Sequence, residues 1–144
     1  MTAVPTVVGP QLFVRDYESL PDSMPPDEIA ALFAELLETP LDSVTQTMDA
    51  LCQLADRQWH AYQPLDASLH QRVDAWLIAN WDSTSLAFAE AASTIVGHLG
   101  LPESWSKIKS GNHANSAVAA EFREFIAEME RGNPLDPWSG MPRP

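Results

Sequence analysis

The sequence predicts an all-α protein of about six helices arranged in three antiparallel hairpins. Three observations predict it. Apolar residues recur at helical spacing in six successive segments. Proline, glycine and Asx–Ser pairs fall between those segments, where helices stop and start. The chain has 144 residues, the length of one domain, and its 45% hydrophobic content is ordinary for a protein with a real core.

Residues 1–25 contain Pro5, Pro10, Pro21 and Pro25 and read as an extended N-terminal arm. Within it, Gln11-Leu12-Phe13-Val14 is too apolar for a free linker and is expected to dock, as a short strand if anything regular. The helical domain is expected over 26–132. Its first helix starts at Pro26 or Asp27, because proline has no N–H to leave unpaired in a first turn and Asp27 and Glu28 suit the positive end of the dipole. Ile29, Leu32, Phe33, Leu36 and Leu37 form its apolar stripe, and Pro40 ends it.

The second helix is expected over 43–62, capped by Asp42 or Ser43. Val44, Met48, Leu51, Cys52, Ala55, Trp59 and Tyr62 make its inner face. The third spans 67–80 after Asp66, with Leu69, Val73, Trp76 and Leu77 inward. The fourth begins after Trp81, with Asp82 or Ser83 as cap. Its run from Leu86 to Leu99 is apolar on most sides, which marks a central helix. Gly100 stands where a left-handed cap belongs. A short fifth helix covers 102–109. The sixth covers 115–131, with Val118, Phe122, Phe125, Ile126 and Met129 inward. The tail 133–144 carries four prolines, so it is not helical; it is either disordered or pinned by Trp138.

A weak internal repeat accompanies these elements. The second members of the three helix pairs open alike, at Asp42-Ser43, Asp82-Ser83 and Asn115-Ser116. At an offset of 40 residues Leu36 matches Trp76, Leu37 matches Leu77, Leu41 matches Trp81 and Met48 matches Phe88. Two helices per 40 residues is the signature of HEAT-like stacking. The other reading is an irregular bundle in which Asx–Ser recurs because it caps helices well.

Charge narrows the function. Twenty acids against eight bases give −12. Nucleic-acid binding needs basic patches that displace counterions from phosphate, and an anionic membrane surface needs the same. The closest basic pair is Lys107 and Lys109, so neither partner is expected. A basic protein is the natural complement, although acidity also serves plain solubility. The stretch to Asp56 holds ten acids and one base, and the remainder ten acids and seven bases, so most of the net charge precedes Arg57.

The second helix gives this charge a pattern. Asp42, Gln46, Asp49, Gln53, Asp56 and His60 follow one another at intervals of 4, 3, 4, 3 and 4, which puts them on one stripe. No base pairs with them within that stripe. Carboxylates and amides so arranged accept hydrogen bonds from Lys and Arg of a partner, and Glu35 and Glu38 join them if the first hairpin closes. The plain alternative is a solvated face. Trp59, Trp76 and Trp81 read as core. Trp105 and Trp138 lie in less regular segments and are candidate aromatic anchors.

Motifs for chemistry are absent from the sequence. The four histidines form no HExxH pair, so no metal and no cofactor are expected. There is no glycine-rich phosphate loop and no Gly-x-Ser-x-Gly elbow. His98 reads as a partly buried imidazole and His113 as a loop residue. Cys52, the one cysteine, reads as a small buried hydrophobe. The N-terminus lacks a basic stretch followed by an apolar one, and no run of about 18 apolar residues occurs, so a cytoplasmic protein is expected.

The stretch from Ala75-Trp76-Leu77-Ile78 through Asn80-Trp81-Asp82-Ser83, followed by Ile95-Val96-Gly97-His98-Leu99-Gly100-Leu101, resembles small helical immunity proteins encoded beside bacterial toxins. The likeness spans about a third of the chain and transfers no defined functional residue. It implies a non-enzymatic protein, a monomer more readily than a dimer, that binds a toxin domain, a basic one given this charge, and blocks it. The alternatives are a helical adaptor or secretion chaperone and, less favoured, a small helical enzyme.

Overall fold

The computed structural model describes residues 16–111 and 113–139. Six α-helices run in order: α1 Pro26–Glu38, α2 Val44–His60, α3 Ala67–Ala79, α4 Leu86–Leu99, α5 Pro102–Ser110 and α6 Ser116–Met129. A 3-10 turn, Tyr17–Ser19, precedes them. Among the described residues there is no strand, and no helix is long and apolar enough to cross a membrane. The segment Gln11–Val14 lies outside the described residues.

The caps explain the boundaries. Ser43 accepts from the Gln46 N–H at 3.1 Å, Asp66 from Ser68 and Leu69, and Asn115 from Ala117 and Val118. The expected cap of α4 is corrected: Ser85, not Asp82 or Ser83, accepts from the Phe88 N–H. Asp82 instead closes a preceding turn on the N–H and hydroxyl of Thr84, at 3.0 and 2.6 Å, and these bonds hold its carboxyl below the usual range. The Asx–Ser likeness therefore does not mark equivalent caps. Gly100 ends α4 with φ 67°, as expected. Val44, placed inward from the sequence, is 41% exposed because it is the first residue of α2 and overhangs the hairpin turn.

The helices pack as two rows. α1, α3 and α5 make one row, each touching the next, and α2, α4 and α6 make the other. Side-chain contacts fix the directions. Cys52 reaches the Ala91 carbonyl and the Trp59 ring meets the His98 ring at 5.6 Å, seven residues further along each helix. α2 and α4 are therefore parallel, in register at an offset of 39. Asn115, which caps α6, donates to the carbonyl of Thr84 just before α4, so α4 and α6 start together as well. Within pairs the direction reverses. The Arg57 guanidinium, near the end of α2, donates to the carbonyls of Leu20 and Pro21 ahead of α1. The His70 ring, in the first turn of α3, lies 3.0 Å from the carbonyl of Leu99, the last residue of α4.

The first two pairs stack as a two-helix repeat predicts. The third pair is skewed. Lys109, near the end of α5, pairs with Glu130 beyond the end of α6 at 2.7 Å. A helix of fourteen residues is about 21 Å long, so two helices side by side and antiparallel would keep these groups apart. α5 has nine residues, too few to run back along α6, and the chain completes the return after Gly111.

The core lies between the rows. Phe33, Leu36, Leu51, Leu54, Leu77, Ile95, Leu101, Ile108 and Phe122 are essentially fully buried. All four residue pairs matched at the 40-residue offset are buried or half-buried, which accounts for their apolar character. The two ends of the described chain are fastened differently. Arg57, buried, uses its guanidinium on Leu20, Pro21 and the Gln53 side chain, which locks the N-terminal segment onto α2. At the other end Trp138 is buried and pins the tail, so that 133–139 belongs to the body.

Candidate functional site

The α2 stripe is a surface feature. Asp42, Gln46, Asp49 and His60 are exposed, and Gln53 and Asp56 half-buried. Its two halves differ. Toward the C-terminal end the groups are engaged within the protein: Gln53 accepts from Arg57, and Asp56 lies 3.6 Å from the His60 ring and 3.7 Å from Arg57. Toward the N-terminal end, Gln46 and Asp49 line a cleft of about 420 Å³ with Asp16, Glu18 and Cys52. The Ser19 hydroxyl donates to Asp16 at 2.6 Å and holds that carboxyl below its usual range. Glu35 and Glu38 are exposed on α1, which packs against α2.

Cys52 borders this cleft with an inert thiol. Burial, with the charge of Asp49 added, pushes its pKa up to about 12. Thiolate is what reacts, and this environment suppresses it.

The two candidate aromatic anchors are corrected. Trp105 is 9% exposed, its ring edge-on to Phe125 at 5.8 Å. Trp138 is 5% exposed and bonded to Trp59. Trp105 faces inward from α5 and the tail folds Trp138 back onto α2, so both rings are spent inside.

A second acidic feature lies on the same row of helices. A groove of about 550 Å³ runs between α4 and α6 and ends against Trp59 of α2. Glu90 contributes from α4, and Glu121, Glu124 and Glu128 from α6. No Lys or Arg lines it among the described residues, and none of the four carboxylates has a salt-bridge partner there. Phe125 and Met129 supply an apolar floor beside Trp59. The Ser93 hydroxyl and the Nδ1 of His98, both in the groove lining, have no hydrogen-bond partner among the described residues. Burial lowers the pKa of His98; Asp56 opposes the shift, and His60 adds to the lowering.

The sequence held a signal for this groove. Glu121, Glu124 and Glu128 are spaced 3 and 4 apart, and Glu90, Ser93, Gly97 likewise, so each set lies on one helix face. What it did not hold is the parallel pairing of α4 with α6, which brings the two sets together. Trp59–His98 contact also makes the groove adjoin the Asp56–His60 end of the stripe.

Among the described residues no group of three or more His, Cys, Asp or Glu side chains is placed to hold a metal ion. Comparison with known protein families, characterised proteins and solved structures finds no match to this chain.

Proposed function

We propose that this protein is a non-enzymatic binding module whose α2–α4–α6 face captures a basic protein. The observation that carries the reading is the charge of that face: Asp42 just ahead of α2 and Asp49 on it, Glu90 from α4, and Glu121, Glu124 and Glu128 from α6, with no Lys or Arg lining either recess among the described residues. Stacked helix pairs offer broad, rigid surfaces to partners, and a single-sign field steers an oppositely charged protein into encounter. The large apolar side chains left exposed among the described residues, Val44, Ile78, Leu86 and Leu135, line neither recess.

The resemblance noted in the sequence extends the proposal. The partner is a basic toxin domain, and the protein acts as its immunity factor by stoichiometric occlusion. Purification of the tagged full chain from its source cells, followed by a growth assay with each co-purifying protein, tests both levels. Neutralisation of a toxic basic partner at equimolar expression is the expected outcome. Capture of a harmless client would sink the immunity reading, and capture of an acidic one the charge reading. Asp42→Lys with Asp49→Lys is the sharper variant, because Asp56 is shared with Arg57 and His60. It is expected to slow association about tenfold and flatten its salt dependence.

A further inference from the structure

The α4–α6 groove has more than charge. Four carboxylates stand around a recess whose lining is partly apolar, and Glu90, Glu124 and Glu128 are exposed at its rim. Low-dielectric walls concentrate the field of such a rim into the recess. Below it, Ser93 is only 6% exposed, yet its hydroxyl has no partner among the described residues. Buried polar groups are nearly always paired, because an unmade hydrogen bond forfeits the solvation that burial removed. The Nδ1 of His98, in the same lining, is likewise unpaired among those residues. Trp59 and Phe125 complete the wall.

We infer that this groove seats an arginine side chain, with an apolar neighbour, from a segment of the partner protein. A guanidinium is planar, always charged and carries five N–H donors. It satisfies carboxylates at the rim and the Ser93 oxygen and His98 Nδ1 beneath them, while its face lies against an aromatic ring. The adjoining apolar side chain covers Met129 and Phe125. A lysine ammonium offers three donors on a compact, strongly hydrated head and stacks poorly. The inference rests on the reading of the protein as a binder of basic proteins, and it assigns that surface a pocket the α2 stripe does not contain.

The test uses the full chain, isotope-labelled, and the blocked peptide Ac-Gly-Leu-Arg-Leu-Gly-NH2. Companion peptides carry lysine or neutral citrulline in place of arginine. The amides of Ser93 and Gly97 and the indole N–H of Trp59 report binding. Saturable shifts at those three sites with the arginine peptide are expected, about tenfold weaker with citrulline and clearly weaker with lysine. Glu121→Gln with Glu124→Gln and Glu128→Gln, isosteric changes on a helix surface, is expected to weaken binding by a similar factor. Ser93→Ala is expected to weaken it less, with the rest of the spectrum unchanged. Shifts spread over Glu35 and Glu38 as much as the groove would overturn the assignment. So would equal binding of citrulline or lysine, or an unaffected triple variant. Failure here with an intact effect of Asp42→Lys and Asp49→Lys on the natural partner removes the groove and leaves the stripe. The converse result removes the stripe alone.

Discussion

The indole N–H of Trp138 donates to the carbonyl of Trp59 at 2.8 Å, and the indole N–H of Trp59 donates to the carbonyl of Pro137 at 2.8 Å. The two tryptophans thus tie the tail to the end of α2 through reciprocal bonds, nearly 80 residues apart in the chain. Tyr62, held at φ 55°, stacks on Trp138 at 6.3 Å. Trp59 is also a wall of the acidic groove, so the clamp that fastens the tail sets the shape of the candidate site.

Trp138→Ala is expected to destabilise the fold by about 3–5 kcal/mol, since it removes a large buried ring and the bond its indole N–H makes to the Trp59 carbonyl. Trp138→Phe keeps most of the ring and loses the N–H, and should cost less than half as much. Urea unfolding measures both. Hydrogen exchange should show residues 133–139 released first in the alanine variant. Equal stability of wild type and Trp138→Ala would mean the clamp is not a structural tie.

Gly100 meets two demands at once. Its φ of 67° is left-handed, and a Cβ there would stand 2.5 Å from the carbonyl oxygen of Leu135. The glycine both ends α4 and lets the tail cross it. Gly100→Ala is expected to lose about 1–3 kcal/mol, more than an αL position open to solvent would. Pairing it with removal of residues 133–144 separates the two causes: the part of the penalty due to the tail should vanish in the shortened chain.

Asp74 on α3 serves as the missing cap of α5. Leu101 precedes that helix and offers no side-chain acceptor, while Asp74 accepts from the N–H groups of Glu103 and Ser104 at 2.9 and 2.8 Å and from the Ser104 hydroxyl at 2.6 Å. It is 3% exposed. Asp74→Ala is expected to cost about 2–3 kcal/mol, the combined loss of a cap and of charge-assisted bonds. Asp74→Asn retains one acceptor and should recover part of it. Thermal melts of the two variants would refute the tie if they coincided with wild type.

His98 makes stability depend on pH. Burial lowers its pKa, so between the folded value and the ordinary imidazole range the unfolded chain holds the proton and the native one does not. Stability from this group is complete above about pH 6.5 and falls as the pH drops below it. His98→Gln should narrow the stability difference between pH 7 and pH 5.5, measured by urea titration at each pH. Identical slopes in the two proteins would remove His98 as the cause.

The helices themselves were legible in the chain because their signals are local. Caps, the prolines at 26 and 102 and the glycine at 100 act within one turn, and apolar spacing reports a buried face whatever covers it. Ile29, Phe33 and Leu36 were inward by spacing alone and are buried. The one misplaced cap, Ser85, lost to Asp82 in sequence because both are good caps four residues or fewer apart; which one opens the helix depends on how Thr84 is held.

Sequence by itself determined the six helices and the outward acidic stripe of α2, since each follows from a repeating spacing along one segment. Tertiary structure decided the rest. That α2, α4 and α6 lie parallel in one row depends on packing between segments about 30–40 residues apart, for which no local spacing codes. That row brings Glu90 beside Glu121, Glu124 and Glu128, leaves Ser93 buried without a partner among the described residues, and turns Trp105 and Trp138 inward. A carboxylate on a helix is only a solvated charge until a second helix, laid against the first, makes a recess of it.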